Sequence, residues 1–257
     1  MLSVVCWRWG TRYDVSWVNR LYSMVTRHLR IPHRFFCITD DFAGYAQGIN
    51  LVPMWFPDGL GRCRRLRIFD PSMRQIFGDR ILQLDIDGVI TGDITSLVDR
   101  PDPFVIWRSV PEQRYVANVD KIKPNSEDGK GAFNTSVVLM NTGIFPTLWA
   151  DYLRDQLGLE RAAKKAGFWT SLYNPSLVPQ IRQLESGDDD QAIISLYASK
   201  ISPPTWLERD GIYKWGRRGF SDKGRLPENA RLVFFNGSLK GNRDGLDSYP
   251  WIAEHWK

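Results

Sequence analysis

The chain has 257 residues and a net charge of +5, and 43% of its residues are hydrophobic. This composition excludes a disordered chain and allows one sizeable core, so we expect a single domain over residues 1–257. The positive charge suits an anionic ligand. Because the basic residues are spread along the chain and no nucleic-acid motif is present, we expect no nucleic acid as a partner.

Three widely spaced cysteines, Cys6, Cys37 and Cys63, form neither a disulfide framework nor a zinc pattern. They indicate a reducing compartment. The N-terminal residues lack the basic and apolar blocks of a signal peptide, and no apolar run approaches the roughly 20 residues of a membrane span. We therefore expect a cytoplasmic protein, with peripheral contact at the inner face of the membrane as its closest approach to a bilayer.

The first 54 residues predict a βαβ unit. Residues 3–7 are apolar and predict a buried strand, and residues 34–39 and 49–54 predict two more. Between the first two, a helix is expected to begin after the N-cap Asp14 and to end before Pro32. Its apolar positions recur at helical spacing and are Val15, Val18, Tyr22, Val25 and Leu29. An amphipathic link between two strands predicts parallel pairing, hence an α/β fold with a mostly parallel sheet.

Residues 62–69 predict a basic helix that carries Arg62, Arg64, Arg65 and Arg67. Such a charge run is usually a solvated helix face. Its place directly before an acidic strand favours a second interpretation, in which one of these arginines faces a phosphate group.

The remaining predicted elements follow in order. Strands are expected at 80–84, 104–107, 136–140 and 231–235, and residues 108–134 predict a long polar loop. Apolar residues from Phe145 to Leu153 indicate a helix, and an acidic helix start is expected at 187–191. Residues 203–229 predict irregular structure, because they are rich in Pro, Gly, Trp and Arg.

The most informative stretch is residues 81–93, in which an apolar run carries Asp85 and Asp87. Two carboxylates at the end of a buried strand are costly to desolvate unless they are paired, and a hard divalent cation suits their oxygens. Three interpretations are open. The pair matches the Asp-x-Asp of nucleotide-sugar glycosyltransferases, the Asp-x-Asp-Gly-Val of haloacid-dehalogenase-type phosphatases with Asp85 as nucleophile, or a solvated acidic turn.

The order of motifs along the chain separates these interpretations. The phosphatase nucleophile normally ends the first strand of its domain, whereas about 80 residues with a βαβ pattern precede Asp85 here. The segments 5–13, 18–22, 36–41, 65–71, 84–87, 133–137, 190–191, 234–240 and 250–256 occur in the order typical of GT-A glycosyltransferases. The chain resembles this class over nearly its whole length, and in particular bacterial proteins similar to glycosyltransferase family 8.

The resemblance implies a GT-A fold, which is a Rossmann-like nucleotide-binding fold, and a retaining transfer of a sugar from a nucleoside diphosphate donor, with UDP as the expected nucleotide. By resemblance, the donor nucleoside is held by Cys6, Trp7 and Tyr13, through backbone contacts and ring stacking. Arg65 and Lys240 contact the donor, the latter at its diphosphate. The alternative for Trp7 is a place in the core.

The same resemblance assigns Asp85 and Asp87 to Mn²⁺ or Mg²⁺, and it assigns Asn134, Asp190 and Gln191 to the sugar and acceptor side. The alternative for the last two is a helix N-cap and first turn. Two departures from the family pattern stand out. Asn236 replaces the usual third metal ligand, a histidine, and Lys240 is followed by Gly rather than Pro.

The acceptor class is expected to be a glycan or a lipid-linked molecule. Residues 213–218 interleave aromatic and cationic side chains and end in Arg217 and Arg218, which suits an anionic acceptor or, equally, an exposed basic loop. Asn236 also leaves open a protein that binds sugar nucleotides without turnover.

Overall fold

The structure is a computed structural model that describes residues 1–55, 61–108, 133–166, 190–215, 224–235 and 249–257. Its strands are β1 Leu2–Arg8, β2 His33–Thr39, β3 Ile49–Pro53, β4 Arg80–Leu84, β5 Gly88–Ile90, β6 Phe104–Trp107, β7 Asn134–Asn141, β8 Thr205–Trp206, β9 Ile212–Trp215 and β10 Leu232–Phe235. Its α-helices are α1 Val15–His28, α2 Arg74–Phe77, α3 Thr95–Val98, α4 Leu148–Arg154, α5 Gln156–Lys165, α6 Asp190–Ala198 and α7 Pro250–His255. Segments of the tighter 3₁₀ helix cover Gly61–Phe69, Pro71–Met73 and Glu208–Asp210.

The central sheet has seven strands within the described residues, in the order β3-β2-β1-β4-β7-β6-β8. The four strands β3, β2, β1 and β4 run parallel to one another, whereas β7 runs antiparallel to both of its neighbours, β4 and β6. The expected α/β fold with a mostly parallel sheet is therefore confirmed, and β7 is the exception that the local pattern did not reveal.

The sheet is covered on both faces, as the apolar strand runs predict. All seven residues of β1 are buried. Alternate side chains of a strand point to opposite faces, so Val4 and Cys6 join one apolar cluster while Val5 and Trp7 join the other.

Helix α1 begins where the sequence predicts. The carboxylate of Asp14 accepts a hydrogen bond from the Ser16 amide at 2.8 Å, which caps the helix. The helix ends at His28, earlier than Pro32 requires, because Leu29 already has an extended backbone. The buried face also includes Trp17, Leu21 and Met24, and this apolar stripe is wider than the predicted one.

The acidic stretch joins two sheets. Strand β4 ends at Leu84 in the central sheet, and β5 begins at Gly88 in a second sheet, which has the order β5-β10-β9 among the described residues. A Cβ atom at Gly88 would lie 2.7 Å from a ring carbon of Phe234, so glycine allows β10 to approach directly after Asp87.

The prediction of irregular structure over 203–229 is wrong where β8, β9 and the turn Glu208–Asp210 occur. These elements are two to four residues long, and the two strands are formed by pairing with β6 and β10, which no local pattern reveals. Of the predicted loop 108–134, residues 109–132 lie outside the described part of the chain. No helix in the described parts of the chain has both the length and the apolar character to cross a membrane.

Candidate functional site

Asp85 and Asp87 lie in the short connection between β4 and β5. The backbone amide of Asp85 donates to the carbonyl of Ser136 at 2.8 Å, which ties the connection to β7. The side chain of Asp85 is 19% exposed, whereas Asp87 is buried. A backbone contact therefore holds Asp85 at the carboxyl end of β4, and both carboxylates are at least partly shielded from water.

The position of this pair in the sheet is itself informative. Strand β1 has β2 on one side and β4 on the other, so the chain order of the strands reverses between β1 and β4. In open α/β sheets, ligands bind outside the carboxyl ends of the strands at such a switch point. The acids that follow β4 and the turn that follows β1 meet at that place.

Arg65 connects the acids of this site. It lies in the 3₁₀ segment Gly61–Phe69 and is 7% exposed. Its Nη1 is 3.1 Å from Oδ1 of Asp85, its Nε is 3.2 Å from Oδ2 of Asp190, and its Nη2 donates to the carbonyl of Thr135 at 3.2 Å. The interpretation of 62–69 as a solvated helix face is wrong for Arg65 and for its neighbour Arg64, which is also buried.

The electrostatics of Arg65 follow from these contacts. Burial lowers the pKa of its guanidinium, but the carboxylates of Asp190, Asp85 and Asp87 outweigh burial and raise the pKa above its ordinary value. The side chain therefore stays charged, and it is compensated by acids from two separate elements.

Three further residues were predicted on the sugar and acceptor side. Asp190 is the first residue of α6 and is 4% exposed, and Gln191 follows it half-buried. Asn134 begins β7, is buried, and accepts a hydrogen bond from the Ser136 amide through Oδ1 at 2.8 Å. Arg65 thus brings Asp190 to Asp85, while Asn134 lies one residue before Thr135, whose carbonyl Arg65 also contacts.

The predicted nucleoside contacts occupy different environments. Cys6 is fully buried between the sheet and α1, and burial raises the pKa of its thiol. Trp7 is also in the core, on the opposite face. Tyr13 is half-buried, and its hydroxyl donates to Oδ2 of Asp87 at 3.5 Å. Tyr13 is therefore the one of the three whose side chain contacts the acidic pair, and a nucleotide contact by Cys6 or Trp7 depends on their backbone.

Sequence reasoning missed Arg8, the last residue of β1. Its guanidinium donates to the carbonyl of Tyr13 at 3.0 Å, to Asp41 at 3.1 Å and to the hydroxyl of Tyr45 at 3.1 Å. A backbone amide from Ala43 and the bond from Arg8 lower the pKa of Asp41. A charged residue that ends an otherwise apolar strand was the available signal. Arg8 fixes the turn that presents Tyr13.

Comparisons with known proteins show the fold. No family model and no curated protein matches the chain. Among solved structures, it is similar to a crystal structure of the galactosyltransferase LgtC in complex with donor and acceptor sugar analogs. The TM-score is 0.53 at 14% sequence identity, and the match covers 98% of this chain and 93% of that one.

The chain has a GT-A fold. At 14% identity the likeness reaches the architecture and not the activity. It agrees with the resemblance that the sequence motifs suggested, and the GT-A architecture places Asp85 and Asp87 at the carboxyl edge of the sheet, where the strand order reverses.

The remaining predicted site residues, Asn236 and Lys240, lie outside the described residues, as do Arg217 and Arg218. Position 236 directly follows β10, and Phe234 of that strand pairs with Gly88. Within the described ranges, no group of three or more His, Cys, Asp and Glu side chains is arranged to hold a metal ion. Of the three residues predicted to bind a metal ion, the structure describes Asp85 and Asp87.

Proposed function

We propose that the protein is a metal-dependent glycosyltransferase that transfers a sugar from a nucleoside diphosphate sugar to an acceptor. The observation that carries the proposal is the pair Asp85 and Asp87 at the switch point between β1 and β4 of a GT-A fold. The ion pairs of Arg65 with Asp85 and Asp190 give this place the mixed charge expected for a diphosphate and a cation.

The residues present fit a hard divalent cation. Mg²⁺ in nucleotide sites is typically held by one or two carboxylates together with substrate phosphates, and Asp85 and Asp87 supply such a set. Asn236 would add a neutral oxygen, which is a weaker ligand for Mn²⁺ than imidazole. When bound, Mn²⁺ or Mg²⁺ offsets the negative charge that develops on the departing nucleoside diphosphate.

Different residues of the chain would contact different parts of the donor. Tyr13 offers a ring for the base, with the backbone of Cys6 and Trp7 beside it, and Lys240 adds a cation for the diphosphate. In the transfer, the bond between the anomeric carbon and the diphosphate oxygen breaks, and the nucleoside diphosphate leaves with the electron pair. The acceptor oxygen bonds to that carbon, and its proton passes to the leaving diphosphate or to water. The proposed outcome is retention, with a hexose as the sugar.

Asp190 suits substrate contact better than nucleophilic attack. Its Oδ2 is 3.2 Å from Nε of Arg65, and a carboxylate paired with a guanidinium is a weaker nucleophile. We therefore assign Asp190, Gln191 and Asn134 to the sugar and acceptor hydroxyls. The same reasoning disfavours a phosphatase with Asp85 as nucleophile, because Arg65 lies 3.1 Å from that carboxylate.

UDP is the proposed nucleotide, and the proposed acceptor is a glycan or a lipid-linked molecule, with anionic character if Arg217 and Arg218 contact it. The reaction would then serve polysaccharide biosynthesis in the cytoplasm, at the inner face of the membrane. The replacement of histidine by Asn236 favours one alternative, a protein that binds sugar nucleotides without turnover.

The test is removal of one metal-binding charge. Asp87→Asn preserves the size of the buried side chain, and we expect it to lower Mn²⁺-dependent hydrolysis of UDP-sugars at least about 100-fold, because one of the two described ligand carboxylates is lost. The matched control is Asp99→Asn, the same change at an exposed acid at the end of α3. Full activity in Asp87→Asn would refute the metal role. Calorimetric binding of UDP and Mn²⁺ without turnover in the wild type, across a broad panel of donors and acceptors, would favour the non-catalytic alternative.

A further inference from the structure

The guanidinium of Arg65 joins three elements that lie far apart in the chain. It contacts Asp85 after β4, the carbonyl of Thr135 in β7 and Asp190 at the start of α6, all within 3.2 Å. The Arg65 cluster, defined as Arg65, Asp85, Asp87 and Asp190, therefore contains both proposed cation ligands and one proposed sugar contact. Three of its four residues are nearly buried, so water screens their charges little.

The chemistry of arginine explains why this residue type stands there. A guanidinium presents five N–H donors in a rigid planar fork, so Arg65 can donate to the carbonyl of Thr135 and form ion pairs with Asp85 and Asp190 at once. A lysine ammonium has the same charge but acts as a single point, and it could not keep all three contacts in one geometry.

We propose that Arg65 is a positioning residue that holds Asp190 in place relative to Asp85 and sets the charge of the cation site. The proposal rests on the proposed function, because it takes Asp85 and Asp87 as the cation ligands. It differs from the expected role of Arg65 as a direct donor contact, since Arg65 here acts through two carboxylates.

The charge of the cluster makes the proposal quantitative. Three carboxylates act on one guanidinium, which leaves a net charge of −2 for one divalent cation. Arg65→Met would leave −3, Asp190→Asn would leave −1, and the double variant would restore −2. If the four groups form one electrostatic unit, cation affinity should rise as the net charge becomes more negative. This holds although Asp190 itself is not assigned as a ligand.

The first measurement is calorimetric titration of each variant with Mn²⁺ in the absence of nucleotide. We expect Arg65→Met to bind about tenfold more tightly and Asp190→Asn about tenfold more weakly, as one charge change at a few ångströms implies. The double variant should lie within about twofold of the wild type, because its net charge is unchanged. Arg64→Met is the matched control, since Arg64 is equally buried but stacks on Trp9.

The second measurement is urea unfolding without any cation. Arg65→Met removes the ion pair between Arg65 and buried Asp190 and should be strongly destabilised, whereas the double variant should recover most of that loss. Arg65→Lys then tests positioning. It should bind Mn²⁺ within about twofold of the wild type but lower kcat for donor hydrolysis at least about tenfold with little change in KM, because Asp190 is no longer held in place.

The outcomes separate the proposals. Equal Mn²⁺ affinity in the wild type and Asp190→Asn, or additive unfolding effects of the two changes, would overturn the role of Arg65. A wild type that binds no Mn²⁺ would instead overturn the cation of the proposed function, and the unfolding cycle would still decide the link between Arg65 and Asp190. Recovery in the double variant supports that link even if no sugar transfer is found.

Discussion

At the scale of single residues, the two acids of the Asp-x-Asp pair are contacted by different side chains. Asp85 is held by Arg65, and Asp87 accepts from the hydroxyl of Tyr13. Tyr13 in turn is fixed through its carbonyl by Arg8. The two carboxylates are therefore contacted from two different segments, one from the basic 3₁₀ segment and one from the turn after β1.

The contact between Tyr13 and Asp87 can be tested by removing one oxygen atom. At 3.5 Å this hydrogen bond is long, so Tyr13→Phe should weaken Mn²⁺ binding only about two- to fivefold and should leave thermal stability nearly unchanged. A Mn²⁺ titration of UDP binding measures the effect. Tyr213→Phe is the control, because that hydroxyl bonds to Asn229 in an exposed position. Equal Mn²⁺ affinity in the two variants would show that the hydroxyl does not orient Asp87.

At the scale of elements, helix α6 carries Asp190 and must be placed precisely. Its first turn is held by the ion pair with Arg65, and near its other end the hydroxyl of Tyr197 donates to Oδ2 of Asp151 in α4 at 2.7 Å. A polar side-chain contact near each end thus adds to the apolar packing that holds the helix against the rest of the fold. Only the contact at the first turn belongs to the site.

Loss of the second contact should therefore cost stability rather than activity. Tyr197→Phe is expected to lower the free energy of unfolding at pH 7 by about 1 kcal/mol, the usual net value of one hydrogen bond. Urea unfolding measures this, and donor hydrolysis per folded molecule should be unchanged. A variant with wild-type stability but reduced turnover would contradict this division of roles.

The same residue predicts a dependence on pH. Burial and the bond to Asp151 raise the pKa of Tyr197 to about 12 from an unfolded value of about 10. A raised folded pKa adds stability that is fully present below pH 10 and is lost as the pH rises through 12. The stability difference between the wild type and Tyr197→Phe should therefore shrink over this range. A constant difference from pH 9 to 12 would show that Tyr197 titrates normally.

At the scale of the whole molecule, the proposed site lies where the central sheet, the second sheet and α6 meet. Strand β4 leads into Asp85 and Asp87, and β5 leaves them for the second sheet. A ligand bound there would contact residues of all three parts and would bind the folded chain only. Ligand binding should therefore be visible as a change in global stability.

A thermal-shift screen uses that property. A ligand that binds only the native state at about 100 times its Kd adds about 2.7 kcal/mol, so UDP with Mn²⁺ should raise Tm by about 5 °C or more. ADP, GDP and CDP serve as matched nucleotides, and Asp87→Asn should lose the part of the shift that depends on Mn²⁺. Equal shifts for all four nucleotides, with or without Mn²⁺, would argue against the proposed donor.

The sequence alone determined the elements that local patterns encode. Apolar runs and helical spacing predicted β1 to β4 and α1, and the apolar run before Asp85 and Asp87 predicted that the two acids follow the end of a buried strand. These predictions succeed because periodicity, capping and strand ends depend on residues that are close together in the chain. The GT-A fold was expected from the family resemblance that the order of these motifs carries.

Only the tertiary structure decided which distant residues meet. In the tertiary structure β7 runs antiparallel to its neighbours, β8 and β9 form by pairing with other strands, and Trp7 lies in the core. Arg65, one of four arginines in a basic run, forms ion pairs with Asp85 and Asp190. No local pattern distinguishes the four arginines of that run. Their roles depend on what packs against them, and that is fixed by contacts between residues far apart in sequence.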